Sequence, residues 1–125
     1  MRISLMMTAL VATMALAGTV QAQDAAQDGQ YRAALNRMIV STADGECPAD
    51  LMAEDLLAAC NDQIYQIGPA LQGLGPITEI NFVRAEGEGE ARVEVYDVIF
   101  EGGQMLTWGI GTLVDGKFQT AYVGG

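Results

Sequence analysis

Apolar positions along the chain change period twice. From Ile3 to Leu16 they form a nearly continuous run, broken only by Ser4, Thr8 and Thr13. Farther on, Tyr31, Ala34, Leu35 and Met38 recur at i, i+3, i+4 and i+7, with Ile39 widening the stripe. That spacing predicts an amphipathic helix, ending among the turn formers between Ser41 and Gly45. A loop from Asp44 to Asp50 carries Cys47-Pro48. Leu57, Cys60, Ile64, Ile67, Leu71 and Leu74 then alternate steps of three and four, which predicts a second helix with one apolar face. Gly68-Pro69 falls inside it. Proline lacks an amide hydrogen and clashes with the preceding turn, so a kink or break is expected there. Gly73, Gly75 and Pro76 stop the helix.

Beyond residue 76 the period becomes two. Ile77 to Arg84 reads as a strand with Ile80 and Phe82 on one face. Ala91 to Phe100 is a second, with Tyr96, Val98 and Phe100 alternating. Met105 to Leu113 is a third, carrying Leu106, Trp108 and Ile110. Lys117 to Val123 is a fourth, carrying Phe118, Thr120 and Tyr122. The connections are short: an acidic turn over Ala85 to Glu90, then Glu101-Gly102-Gly103, then Asp115-Gly116. Short turns make an antiparallel meander, and the helices are the available cover for one face. The expected fold is α+β: two or three N-terminal helices packed on a curved four-stranded antiparallel meander. Val93, Val95 and Ile99 fall opposite Tyr96, sharing the outer face with Met105 and Gly109. An apolar outer face marks an interaction site, and a two-fold homodimer through it is the simplest expectation. The competing expectation is a bulge near Val95 that buries both sets in a monomer.

The apolar run at the start follows Arg2 and precedes Val20-Gln21-Ala22, a small-x-Ala cleavage pattern. Residues 1–22 therefore read as a signal peptide cut between Ala22 and Gln23, residues 23–30 as a flexible lead-in, and residues 31–125 as a single domain. The run is shorter than the roughly 20 residues of a spanning helix, and no later run is long enough. A periplasmic or secreted location follows, with no membrane span after cleavage. Residues 23–125 carry five basic and sixteen acidic side chains, a net charge of −11. Such a surface repels phosphate backbones and anionic headgroups, which disfavours nucleic acid as a partner. The two cysteines, Cys47 and Cys60, lack redox C-x-x-C spacing, and the chain has no His to complete a zinc site. In an exported chain they predict a structural disulfide.

Leu74-Gly75-Pro76-Ile77, Val95-Tyr96-Asp97-Val98-Ile99-Phe100-Glu101-Gly102-Gly103, Leu106-Thr107-Trp108-Gly109-Ile110 and Asp115-Gly116-Lys117-Phe118 together set a cadence over residues 31–123. It resembles small NTF2-like (cystatin-like roll) modules of exported bacterial proteins, similar to the accessory domains attached to serine-hydrolase or β-lactamase-type enzymes. The resemblance implies a helix-on-roll fold and a binding or accessory role. An exported hydrolase is the kind of partner it implies. The chain lacks a hydrolase domain of its own.

Catalytic chemistry finds little to use. Ser41 is the only serine after Ala22, and no His is present to activate it. Asp97 with Glu79 or Glu94 could pair across strands, but charged strand residues are more often solvent-facing. Glu86, Glu88 and Glu90 offer oxygens suited to Ca²⁺, although their glycine spacers favour a solvated turn. No metal or other cofactor is implied. The aromatic set Tyr96, Phe100, Trp108, Phe118 and Tyr122 either fills the core or lines a helix–sheet ligand pocket. The leading expectation is thus an exported, non-catalytic binding module for a protein partner, itself, or a small apolar ligand. The alternatives are a small enzyme using carboxylate and Tyr groups at the mouth of the roll, and a structural or inhibitor-like domain.

Overall fold

The computed structural model describes residues 28–124. The expected signal peptide and its expected cleavage site at Ala22–Gln23 lie outside them. Two helices precede four strands: α1 (Arg32–Ala43), α2 (Glu54–Leu74), β1 (Ile77–Glu86), β2 (Val93–Phe100), β3 (Met105–Val114) and β4 (Lys117–Gly124). One 3₁₀ turn, Gly89–Ala91, lies between β1 and β2. The sheet is an antiparallel meander in the order β1-β2-β3-β4. Both helices pack on one face of it, giving an α+β fold. Among the described residues, no helix is long and apolar enough to cross a membrane.

The helical stripes become the core. Leu35, Met38 and Ile39 of α1, and Cys60, Ile64 and Leu71 of α2, meet Tyr96, Val98, Phe100, Trp108, Ile110 and Phe118 of the sheet. Tyr31 packs edge-on against Phe118, with ring centroids 5.0 Å apart. Phe82 meets Tyr96 in the same way at 5.7 Å. Cys47 and Cys60 form the disulfide, with Cα atoms 6.1 Å apart. It ties the loop before α2 to the buried face of α2.

Of the kink or break expected at Gly68-Pro69, the break does not occur. α2 continues through Pro69 to Leu74. Tertiary packing overrides the local cost: Gly68 lies against the end of α1, where a Cβ would sit 3.1 Å from the Thr42 carbonyl oxygen. Ile64 and Leu71 are buried on either side of the proline. The helix stops at Gly75, whose φ of 84° is open to glycine. The β2–β3 turn docks there, with the Gly102 amide donating to the Leu74 carbonyl at 3.1 Å. That contact meets one of the acceptors a helix end leaves free. The β3–β4 turn has Asp115 at φ 52° and Gly116 at φ 81°, the paired positive angles of a tight two-residue hairpin.

The outer sheet face brings together residues expected to share it. Val95 pairs with Gly109 and Ile99 with Met105. Polar neighbours interrupt it, because the row Asn81, Asp97 and Thr107 runs between those two apolar pairs. The Thr107 hydroxyl donates to Asp97 at 2.8 Å. Val95 is only 2% exposed although it lies outside the helix-covered core cluster. Its row continues through Gly109 to Tyr122. The Tyr122 ring lies across Gly109 so closely that a Cβ there would fall 2.2 Å from Cζ. A side chain at this close approach would push the Tyr122 ring aside.

Candidate functional site

A groove of about 650 Å³ separates α2 from the β3–β4 edge of the sheet. Its helix wall includes Leu56, Ala59, Gln63, Gln66, Ile67 and Ala70. Its sheet wall includes Leu106, Trp108, Ala121 and Val123, and Met38 and Met52 also contribute. These positions follow from the two periods. The stripe of α2 sends its central residues into the core, while Ala59, Gln63, Gln66 and Ala70 lie beside that stripe. On the sheet, Trp108 pairs with Val123 and Ile110 with Ala121 across β3 and β4. The small side chains of Ala59, Ala70 and Ala121 leave room between the layers. Among the described residues, no charged side chain lines the groove.

Trp108 is the most informative residue in the wall. It is 9% exposed, and its indole Nε1 is buried without a hydrogen-bond partner. Among the described residues it is the only buried side-chain nitrogen or oxygen in that condition. Leaving such a donor unmet costs on the order of 1–3 kcal/mol.

The five aromatic candidates separate into two groups. Trp108 and Tyr122 border the groove. Tyr96, Phe100 and Phe118 are packed into the core, at 0%, 2% and 4% exposure. Phe118 and Tyr122 do not share one environment, although simple alternation groups them. Phe118 is in the core cluster, whereas the Tyr122 ring covers Gly109 beside Val95. β3 is kinked between their partners Leu113 and Gly109, where Thr112 takes a φ of 56°.

A second cluster lies at the start of α1, and the sequence reading missed it. Glu94 is fully buried rather than solvent-facing. Its Oε1 accepts from the Tyr31 amide at 3.0 Å and from the Tyr96 hydroxyl at 2.5 Å. Its Oε2 accepts from Arg92 Nε at 3.1 Å and Nη2 at 2.7 Å. Burial would raise the Glu94 carboxyl, but hydrogen bonds from Tyr96, the Tyr31 amide and Arg92 outweigh it. They hold it below its ordinary 4.5. Burial first, then the Glu94 carboxylate, push the Tyr96 phenol far above its ordinary 10.0. The carboxylate supplies from across the fold the cap that α1 lacks locally, since Tyr31 makes no side-chain cap. One signal was available: Glu94 lies two residues before Tyr96 and therefore on its buried face.

The remaining carboxylates do not assemble. Asp97 faces outward with Thr107, and Glu79 accepts from Asn81. Glu86 pairs with Arg84 at 2.7 Å. Among the described residues, no group of three or more His, Cys, Asp or Glu is placed to hold a metal ion.

Comparison with protein-family models, curated proteins and solved structures finds no match to this chain.

Proposed function

We propose that this chain is an exported, non-catalytic binding module of the NTF2-like (cystatin-like roll) kind, holding an apolar ligand between α2 and the β3–β4 edge. The observation that carries the reading is the uncharged, largely apolar groove with Trp108 in its wall. Its volume falls within the usual range for small-molecule sites. A largely apolar ligand suits it. The acidic surface favours neutral or cationic ligands over anions. The disulfide supports an exported location.

An enzymatic role draws less support. Among the described residues the one buried carboxylate, Glu94, has both oxygens occupied by structural partners and does not line the groove. A homodimer through the open sheet face is also less favoured, because the Asn81–Asp97–Thr107 row divides the apolar residues there.

Trp108 is the only tryptophan of the chain, so its fluorescence reports on this wall. Titration of the exported protein with decanol, decyltrimethylammonium and decanoate tests the reading. Saturable changes with the first two and weaker ones with decanoate are expected. Ala70→Leu, which narrows the groove from its helix wall, should weaken binding at unchanged melting temperature. Flat titrations with all three ligands would remove the proposal.

A further inference from the structure

The two edges of the sheet are protected very differently. β1 carries Glu79, Arg84 and Glu86, and its pairing with β2 is interrupted between Ile77 and Glu79 and again between Phe82 and Arg84. Charges and irregularities of this kind discourage another chain from adding to an edge. β4 has no such protection over Gln119-Thr120-Ala121-Tyr122-Val123-Gly124, which contains neither a charge nor a proline. Tyr122 and Val123 are 45% and 51% exposed.

The same edge already accepts a chain at its other end. The Phe118 amide donates to the Leu51 carbonyl at 2.7 Å, and the Ala53 amide donates to the Phe118 carbonyl at 2.9 Å. This is a parallel bridge between Met52 and Phe118. Met52 is 5% exposed, packed in the core beneath that pairing. The segment then turns away into α2 at Glu54. No other backbone segment pairs with the outer side of β4 among the described residues. The groove opens beside this uncovered stretch, since Ala121, Tyr122 and Val123 both line it and belong to the edge strand.

We propose that residues 119–124 of β4 bind an extended apolar peptide as a fifth strand, with alternate side chains entering the groove beneath α2. Backbone bonds then supply affinity and the groove supplies selectivity, as in other strand-addition complexes. Met52 shows the mode within the chain itself: a backbone paired to β4 and a side chain directed into the core. The net charge of −11 over residues 23–125 selects a peptide with basic flanks and disfavours a second, equally acidic copy of this chain. The inference rests on the groove being the binding site and adds the class of its occupant.

The probe is a soluble peptide, Lys-Lys-Val-Thr-Val-Thr-Val-Lys-Lys, titrated into the exported protein while Trp108 fluorescence is followed. Its control is the same peptide N-methylated at alternate amides on the edge meant to face β4. The unmodified peptide should bind and slow amide hydrogen exchange over Thr120–Gly124. The methylated peptide should bind about tenfold more weakly or worse, since each lost ladder bond contributes about 1 kcal/mol. Equal binding of the two peptides would overturn strand addition and leave the groove reading intact. Binding of decanol but of neither peptide would do the same. Failure of decanol and both peptides would overturn both.

Discussion

Replacing Glu94 by Gln isolates the charge of the buried cluster while conserving its shape. The wild-type carboxylate accepts four hydrogen bonds, from the Tyr31 amide, the Tyr96 hydroxyl and two Arg92 nitrogens. Glutamine offers a single acceptor oxygen and places an amide where two acceptors are needed. Arg92, with 14% of its side chain exposed, keeps Asp28 at 3.5 Å, itself largely exposed. Removing one partner of a buried pair costs about 3–5 kcal/mol. Retention of one acceptor and of Asp28 puts the expected loss near the lower end, about 3 kcal/mol. For a domain of this size that lowers the melting temperature by roughly 12–24 °C. Urea unfolding at pH 7, followed by Trp108 fluorescence, measures it. The pH dependence supplies an independent check. The folded carboxyl lies below its ordinary 4.5, so its contribution is present above that value. It is lost as pH falls from about 4.5 toward the folded value. Wild-type stability should decline over that window, and Glu94→Gln should decline less steeply. A loss below about 0.5 kcal/mol at pH 7, or identical acid profiles, would refute a structural role for this carboxylate.

Three further outcomes are expected. Gly109→Ala should destabilise by about 1–3 kcal/mol through overpacking against Tyr122, and Tyr122→Ala in the same chain should recover part of that loss. Replacing both Cys47 and Cys60 by Ala should lower stability by about 3 kcal/mol, the loop-closure value for this spacing; free-thiol labelling of denatured wild type should find none. Intact mass of exported material should match a chain beginning at Gln23, and a species retaining Met1 would exclude cleavage.

Local chemistry made much of the fold legible. The stripe Cys60–Ile64–Ile67–Leu71 placed α2, and Asp115-Gly116 and Glu101-Gly102-Gly103 located two turns. Strict alternation also placed Val95 and Gly109 on one face. What escaped depends on residues far apart in the chain. Glu94 meets the Tyr31 amide 63 positions away, a distance no periodicity reports, so its charge suggested exposure. Pro69 is tolerated because Gly68 fits against α1, and that crossing depends on tertiary packing. The left-handed Thr112 kinks β3, so alternation grouped Phe118 with Tyr122 when the two lie in different surroundings. Trp108 appeared among the aromatic candidates, but its role as groove wall depends on where Ala59, Gln63 and Ala70 of α2 come to rest.

The groove claim is tested most directly by the indole N–H of Trp108, which gives one resonance because the chain has one tryptophan. Without ligand this proton has no acceptor. On saturation of the protein with decanol, the indole resonance should shift as the ligand packs against the Trp108 wall of the groove. An indole resonance that stays in place while decanol is saturating would contradict the account.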